Sequence, residues 1–70
     1  MNWRNAIKDF MATQGWSKMR LAGELGIHFN TVHGWLRRKK AFTPLPVFQA
    51  MLRALFEKHG FDLAPYEGKR

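Results

Sequence analysis

Apolar positions along this chain recur at the spacing of helices. Trp3, Ile7, Phe10 and Met11 stand three or four residues apart among polar neighbours, the stripe that a 3.6-residue period buries on one face. Gly15 follows, and glycine readily takes the left-handed conformation that closes a helix, so a first helix is predicted over Asn2 to Thr13. Ser17 can accept from free backbone N–H groups at the start of a second helix. That helix is predicted from Lys18 to Leu25, with Met19, Ala22 and Leu25 inward and Lys18, Arg20 and Glu24 outward. After Gly26, a third is predicted from Phe29 to Arg38, followed by a basic loop from Lys39 to Thr43. Pro44 and Pro46 bracket the entry to a fourth, where proline is tolerated in the first turn. It is predicted to run from Leu45 to His59 and stop at Gly60. Phe61-Asp62-Leu63 alternates as an extended segment does, and Pro65 and Gly68 mark a loose end.

The expected fold is therefore all-α: a compact bundle of four to five helices with a central helix-turn-helix and a short C-terminal tail that starts extended. One domain is expected over residues 1–64, with a loose tail over 65–70. The fourth helix is apolar over most of its surface: Val47, Phe48, Ala50, Met51, Leu52, Ala54, Leu55 and Phe56 against Gln49, Arg53, Glu57 and Lys58. Two readings explain so wide a stripe. The helix is the core of the bundle, wrapped by the other three, or part of it joins the tail in a dimer interface through Phe56, Phe61 and Leu63.

Charge narrows the class of function. The 70 residues hold 12 Lys+Arg against 5 Asp+Glu, a formal charge of +7 with pI near 10.7, while 46% of residues are hydrophobic. Such a chain is apolar enough to fold and basic enough to seek a polyanion. Between Lys18 and Lys40 stand six basic residues (Lys18, Arg20, Arg37, Arg38, Lys39, Lys40) and one acid, Glu24, so 6 − 1 = +5 of the +7 lies there. With no cysteine, disulfide scaffolds and Cys-based zinc sites are excluded, and a reducing compartment fits. No apolar run approaches the roughly 18 residues of a membrane span. Ser-His-Asp sets, paired acids and phosphate-binding glycine loops are missing from the sequence. His28 and His33 are five apart and share no helix face well, so no metal site is expected. The expectation is a non-enzymatic chain without cofactor or small-molecule ligand.

The stretch Ser17 to Arg37 reads SKMRLAGELGIHFNTVHGWLR. Two short helices that cross steeply at a turn must approach closely. Ala22 supplies a small inner residue, Gly26 a positive φ to end the first helix, and Ile27, Val32 and Leu36 apolar contacts beyond it, with Trp35 beside them. Together with Leu21 and Leu25, this segment resembles the helix-turn-helix of Cro/repressor-type (Xre-like) DNA-binding proteins. Compact phage Cro-like regulators, and small autorepressors found beside anti-CRISPR genes, are similar in size and layout. The chain departs from the pattern at His28-Phe29, where a small polar cap is usual. Either His28 or Asn30 is left to cap the third helix, so its start is open by one or two residues.

The resemblance implies double-stranded DNA as partner and a homodimeric repressor or autoregulator reading an inverted repeat through the major groove, in a bacterial cytoplasm and on the nucleoid when bound. It implies base reading by His28, Phe29, Asn30, His33, Gly34 and Arg37: Asn30 suits adenine, Phe29 a thymine methyl, His33 and Arg37 guanine or phosphate. Gly34 would let the helix lie close to the groove. Ser17, Lys18, Arg20, Thr31, Arg38, Lys39 and Lys40 are the expected phosphate contacts. Two histidines near the groove predict tighter binding below about pH 6.5. The other readings are a phage excision or architectural factor, an activator touching polymerase, or a helical protein-interaction module.

Overall fold

The structure, a computed structural model, describes residues 1–67. Four α-helices and a final 3-10 turn make up the regular structure: α1 Trp3–Gln14, α2 Lys18–Leu25, α3 Phe29–Trp35, α4 Pro46–Lys58 and η1 Ala64–Tyr66. No strand occurs among the described residues.

Each boundary has a local cause. Asn2 Oδ1 accepts the Asn5 N–H and starts α1, and Gly15 at φ 71° closes it by donating back to carbonyls of its last turn. Trp3, Ala6, Ile7 and Phe10 form its buried face. At the start of α4, Pro46 occupies the first helical position, and Gln49 Nε2 donates to the carbonyl of the buried Pro44 at 2.8 Å. That bond fixes the angle at which the helix leaves the loop.

The core gathers these faces around one ring. Phe10 is fully buried and meets Trp16 edge-on at 5.4 Å, Phe56 at 4.6 Å, His59 at 5.7 Å and Phe61 edge-on at 5.3 Å between centroids. Leu21, Val32, Trp35 and Leu52 extend the cluster to the other helices. Aromatic pairs at these separations add to the gain from burial alone.

Three expectations change here. Met19 is 71% exposed, and Leu21 takes the inward place beside Ala22, because Leu21 rather than Met19 follows the buried stripe of so short a helix. α4 is not wrapped by the others: only Leu52 and Phe56 on it are buried, while Val47 is 61% exposed and Ala50 and Ala54 are exposed. Phe56 is fully buried against Phe10 and Phe61, so it offers no surface to a second copy. Phe61 and Leu63 are half-buried against the same core.

The tail also differs from its expectation. After Gly60, at φ 70°, Phe61 N–H donates to the Phe56 carbonyl and turns the chain back. Asp62 Oδ1 then accepts from Ala64 N–H, so the alternating segment runs into a helical turn instead of an extended one. Residues 65–67, expected to be loose, are held at three points. Asn2 N–H donates to the Tyr66 carbonyl at 3.0 Å, the Tyr66 hydroxyl donates to Asp9, and Glu67 pairs with Arg53 at 3.1 Å. Arg53 also lies 5.4 Å from the centre of the Trp3 ring. The rest of the expected tail, 68–70, lies outside the described residues.

Phe10→Ala is expected to cost about 3–5 kcal/mol, about the whole stability that a core of this size supplies. Circular dichroism under urea titration should show it unfolded at 25 °C, with Phe10→Leu still folded. Tyr66 is the sole tyrosine, and its hydrogen bond to Asp9, then desolvation, then the Asp9 charge raise its pKa above the ordinary 10.0. The folded state thus holds the phenolic proton more tightly than the unfolded state. This contribution to stability is complete below the unfolded value and is lost as pH rises through the folded one. Ultraviolet titration of the phenol should show ionisation moving to lower pH in Asp9→Ala.

Candidate nucleic-acid interface

α2 and α3 are joined by Gly26, Ile27 and His28. Ser17 Oγ accepts the Arg20 N–H at 3.1 Å and begins α2. Gly26 at φ 69° ends it, and Ile27 N–H returns to the Ala22 carbonyl at 3.0 Å. A residue with a Cβ is strained at that φ, so the abrupt turn depends on Gly26. His28 Nδ1 accepts the Asn30 N–H at 3.0 Å, which starts α3 at Phe29. The cap left open between His28 and Asn30 is thus His28. Leu21, Ala22, Val32 and Trp35 face the core, with Leu25, Ile27 and Leu36 half-buried around them.

The start of α3 presents side chains to solvent. His28, Phe29, Asn30 and His33 are exposed, and Thr31 is half-buried. Phe29 and His33, one turn apart, stack with rings nearly parallel at 6.1 Å. Lys18 reaches across from α2 and places Nζ 3.2 Å from His33 Nδ1. An ammonium can only donate, so in this contact His33 Nδ1 is the acceptor. This bond locks the base-reading candidate His33 to the phosphate candidate Lys18.

Two base-reading candidates lie elsewhere. Gly34 is buried, and a Cβ built there would stand 2.8 Å from Phe42 Cδ2. Its small size makes room for Phe42, not for a groove. α3 ends at Trp35, so Arg37 and Arg38, expected in its last turn, belong to the following loop. The cause is a competing donor: the Gly34 carbonyl accepts from Phe42 N–H at 3.0 Å, where a longer helix would use the N–H four residues on. The Arg37 guanidinium instead lies 5.6 Å from the centre of the Phe42 ring.

The phosphate candidates differ in what holds them. Ser17 uses its oxygen as a cap, and Arg20 pairs with Glu24 at 2.9 Å while its guanidinium lies 4.7 Å from the Trp16 ring centre. An exposed pair of this kind contributes little to stability, and it occupies the cation. Arg37, Arg38, Lys39 and Lys40 are exposed and pair with no carboxylate among the described residues. Two side chains that shape this region were missed from the sequence. Arg4 Nε donates to the Arg37 carbonyl at 3.0 Å, and Phe42 covers Gly34. A glycine inside a predicted helix, with a stray aromatic eight residues on, was the available signal for Phe42. For Arg4, a contact between residues 33 apart has no local signal.

Residues 10–55 match the family model described as "Putative ATPase subunit of terminase (gpP-like)". This chain belongs to that family. The matched part runs from the second half of α1 through α2, α3 and most of α4, so it contains the whole α2–α3 unit and the basic loop. The terminase match gives the chain a phage-related, DNA-related setting. No curated protein matches the chain, and no solved structure does. None of the described helices is long and apolar enough to cross a membrane.

His28→Ala, which removes the side-chain acceptor of the α3 cap, is expected to destabilise the fold by about 1 kcal/mol. His28→Asn, which restores a capping oxygen, should recover most of that loss in the same denaturation experiment.

Proposed function

We propose that these residues form a non-enzymatic module that binds double-stranded DNA through the α2–α3 unit, as part of a phage DNA-handling system of the terminase type. The observation that carries this reading is the exposed start of α3 together with four cations, Arg37 to Lys40, that pair with no carboxylate among the described residues. His28, Phe29, Asn30 and His33 would face base edges, and Lys18, Arg38, Lys39 and Lys40 would take phosphates. The family description names an ATPase subunit. The 70 residues lack the glycine-rich loop with lysine that cradles nucleotide phosphates, and the role proposed for this module is DNA contact.

The second reading is the homodimeric repressor implied by the Cro/repressor resemblance. It requires a self-complementary surface. Phe42, Leu45 and Val47, each more than half exposed, supply apolar area for one, in place of the buried Phe56.

Duplex affinity should fall steeply as salt rises from about 50 to 200 mM, because phosphate contacts release counterions. A flat salt response removes the DNA reading. Arg38→Ala should weaken specific and random duplexes equally, whereas Asn30→Ala should cost about 1–3 kcal/mol at one base position and relax preference there. Selection from random duplexes separates the two readings: a palindromic motif supports the dimeric repressor, and a single half-site supports the terminase-type module.

A further inference from the structure

The loop after α3 is built as a closed ring. The chain leaves α3 at Trp35 and returns at Phe42, whose N–H bonds the Gly34 carbonyl at 3.0 Å. Lys40 makes the return possible at φ 55°, a conformation that a residue with a side chain seldom adopts. Phe42 then lays its ring on Gly34, in space that even one methyl group would invade at 2.8 Å. Arg37 sets its guanidinium over that ring from the other side of the loop. Arg4, in the first turn of α1, donates to the Arg37 carbonyl at 3.0 Å and ties the loop to another helix.

These contacts hold together four adjacent cations, Arg37 to Lys40, that repel one another and pair with no carboxylate among the described residues. A loop that only kept the chain in solution would gain nothing from such fastening, since mobile charges hydrate equally well. Fastening serves a ligand with negative charges at fixed spacing, because the ordering of the loop is then complete before binding. Phe42 is 61% exposed, so its contact with Gly34 is not explained by a need to hide the ring.

We propose that residues 37–41 form a preset phosphate-binding element for duplex DNA, and that Phe42 and Arg4 are its positioning residues. This rests on the DNA reading above. It adds that the loop binds as a fixed shape and that two residues outside its charged run determine its affinity.

The test is a cycle of duplex-binding measurements. Phe42→Ala is made in the natural chain and in a chain carrying Arg38→Ala, Lys39→Ala and Lys40→Ala. Freeing about one residue of backbone corresponds to roughly tenfold in affinity, so Phe42→Ala should weaken binding by about that factor in the natural chain. In the chain without the three charges its effect should shrink to less than about twofold. An equal loss in both backgrounds overturns the proposal, since Phe42 would then act apart from the loop charges. No loss in the natural chain overturns it as well. Should Phe42→Ala fail to fold, Arg4→Met takes its place, and the cycle cancels the direct effect of the lost charge. Steep salt dependence in the natural chain with an additive cycle rejects only the positioning role. A flat salt response rejects both it and the DNA reading.

Discussion

Everything in this small domain is referred to the ring of Phe10. It touches the turn after α1 through Trp16, α4 through Phe56, the cap of α4 through His59, and the returning tail through Phe61. The buried side chains of the described residues form one cluster, and without cysteine no disulfide braces it. Trp16 matters twice: it lies on Phe10 from the core side and carries the Arg20 guanidinium on its other surroundings. The orientation of α2 is thus set by contacts that begin in the core and end at a surface cation.

On that base, α2 and α3 need few further constraints. Two glycine and histidine contacts define the turn, and Lys18 bonded to His33 joins the helices again at their exposed side. The family match covers this unit, the loop beyond it and most of α4.

Where the sequence foretold structure, a local signal was strong. Gly15, Ser17, Gly26 and Pro46 each punctuate the chain, and α1, α2 and α4 lie within one residue of their expected ends. α3 was expected three residues too long, because Arg37 and Arg38 carry no breaker. What stops the helix is Phe42 capturing the Gly34 carbonyl from eight residues away, and periodicity does not register a competing donor. The same distance effect hid Arg4. Gly34 looked like a close-approach position since glycine inside an exposed polar stretch has two explanations, and only the placement of Phe42 separates them. The apolar run of α4 fits core and dimer contact equally well. Its composition carries no information on which residues the remaining helices reach, and they reach Leu52 and Phe56. The tail misled through alternation: Asp62 alternates with apolar neighbours because it caps the next turn.

Asn2 and Tyr66 are bonded through their backbones, and both line one open cleft with Ala41, Phe42 and Thr43. The two ends of the described chain therefore sit at a single corner, beside the point where the basic loop returns. A label attached at Asn2 or Tyr66 would start within reach of that loop. For anyone immobilising this domain, the geometry sets a practical rule. A long spacer keeps the attachment clear of the loop, and a short one holds it there as a reporter of whatever the loop touches.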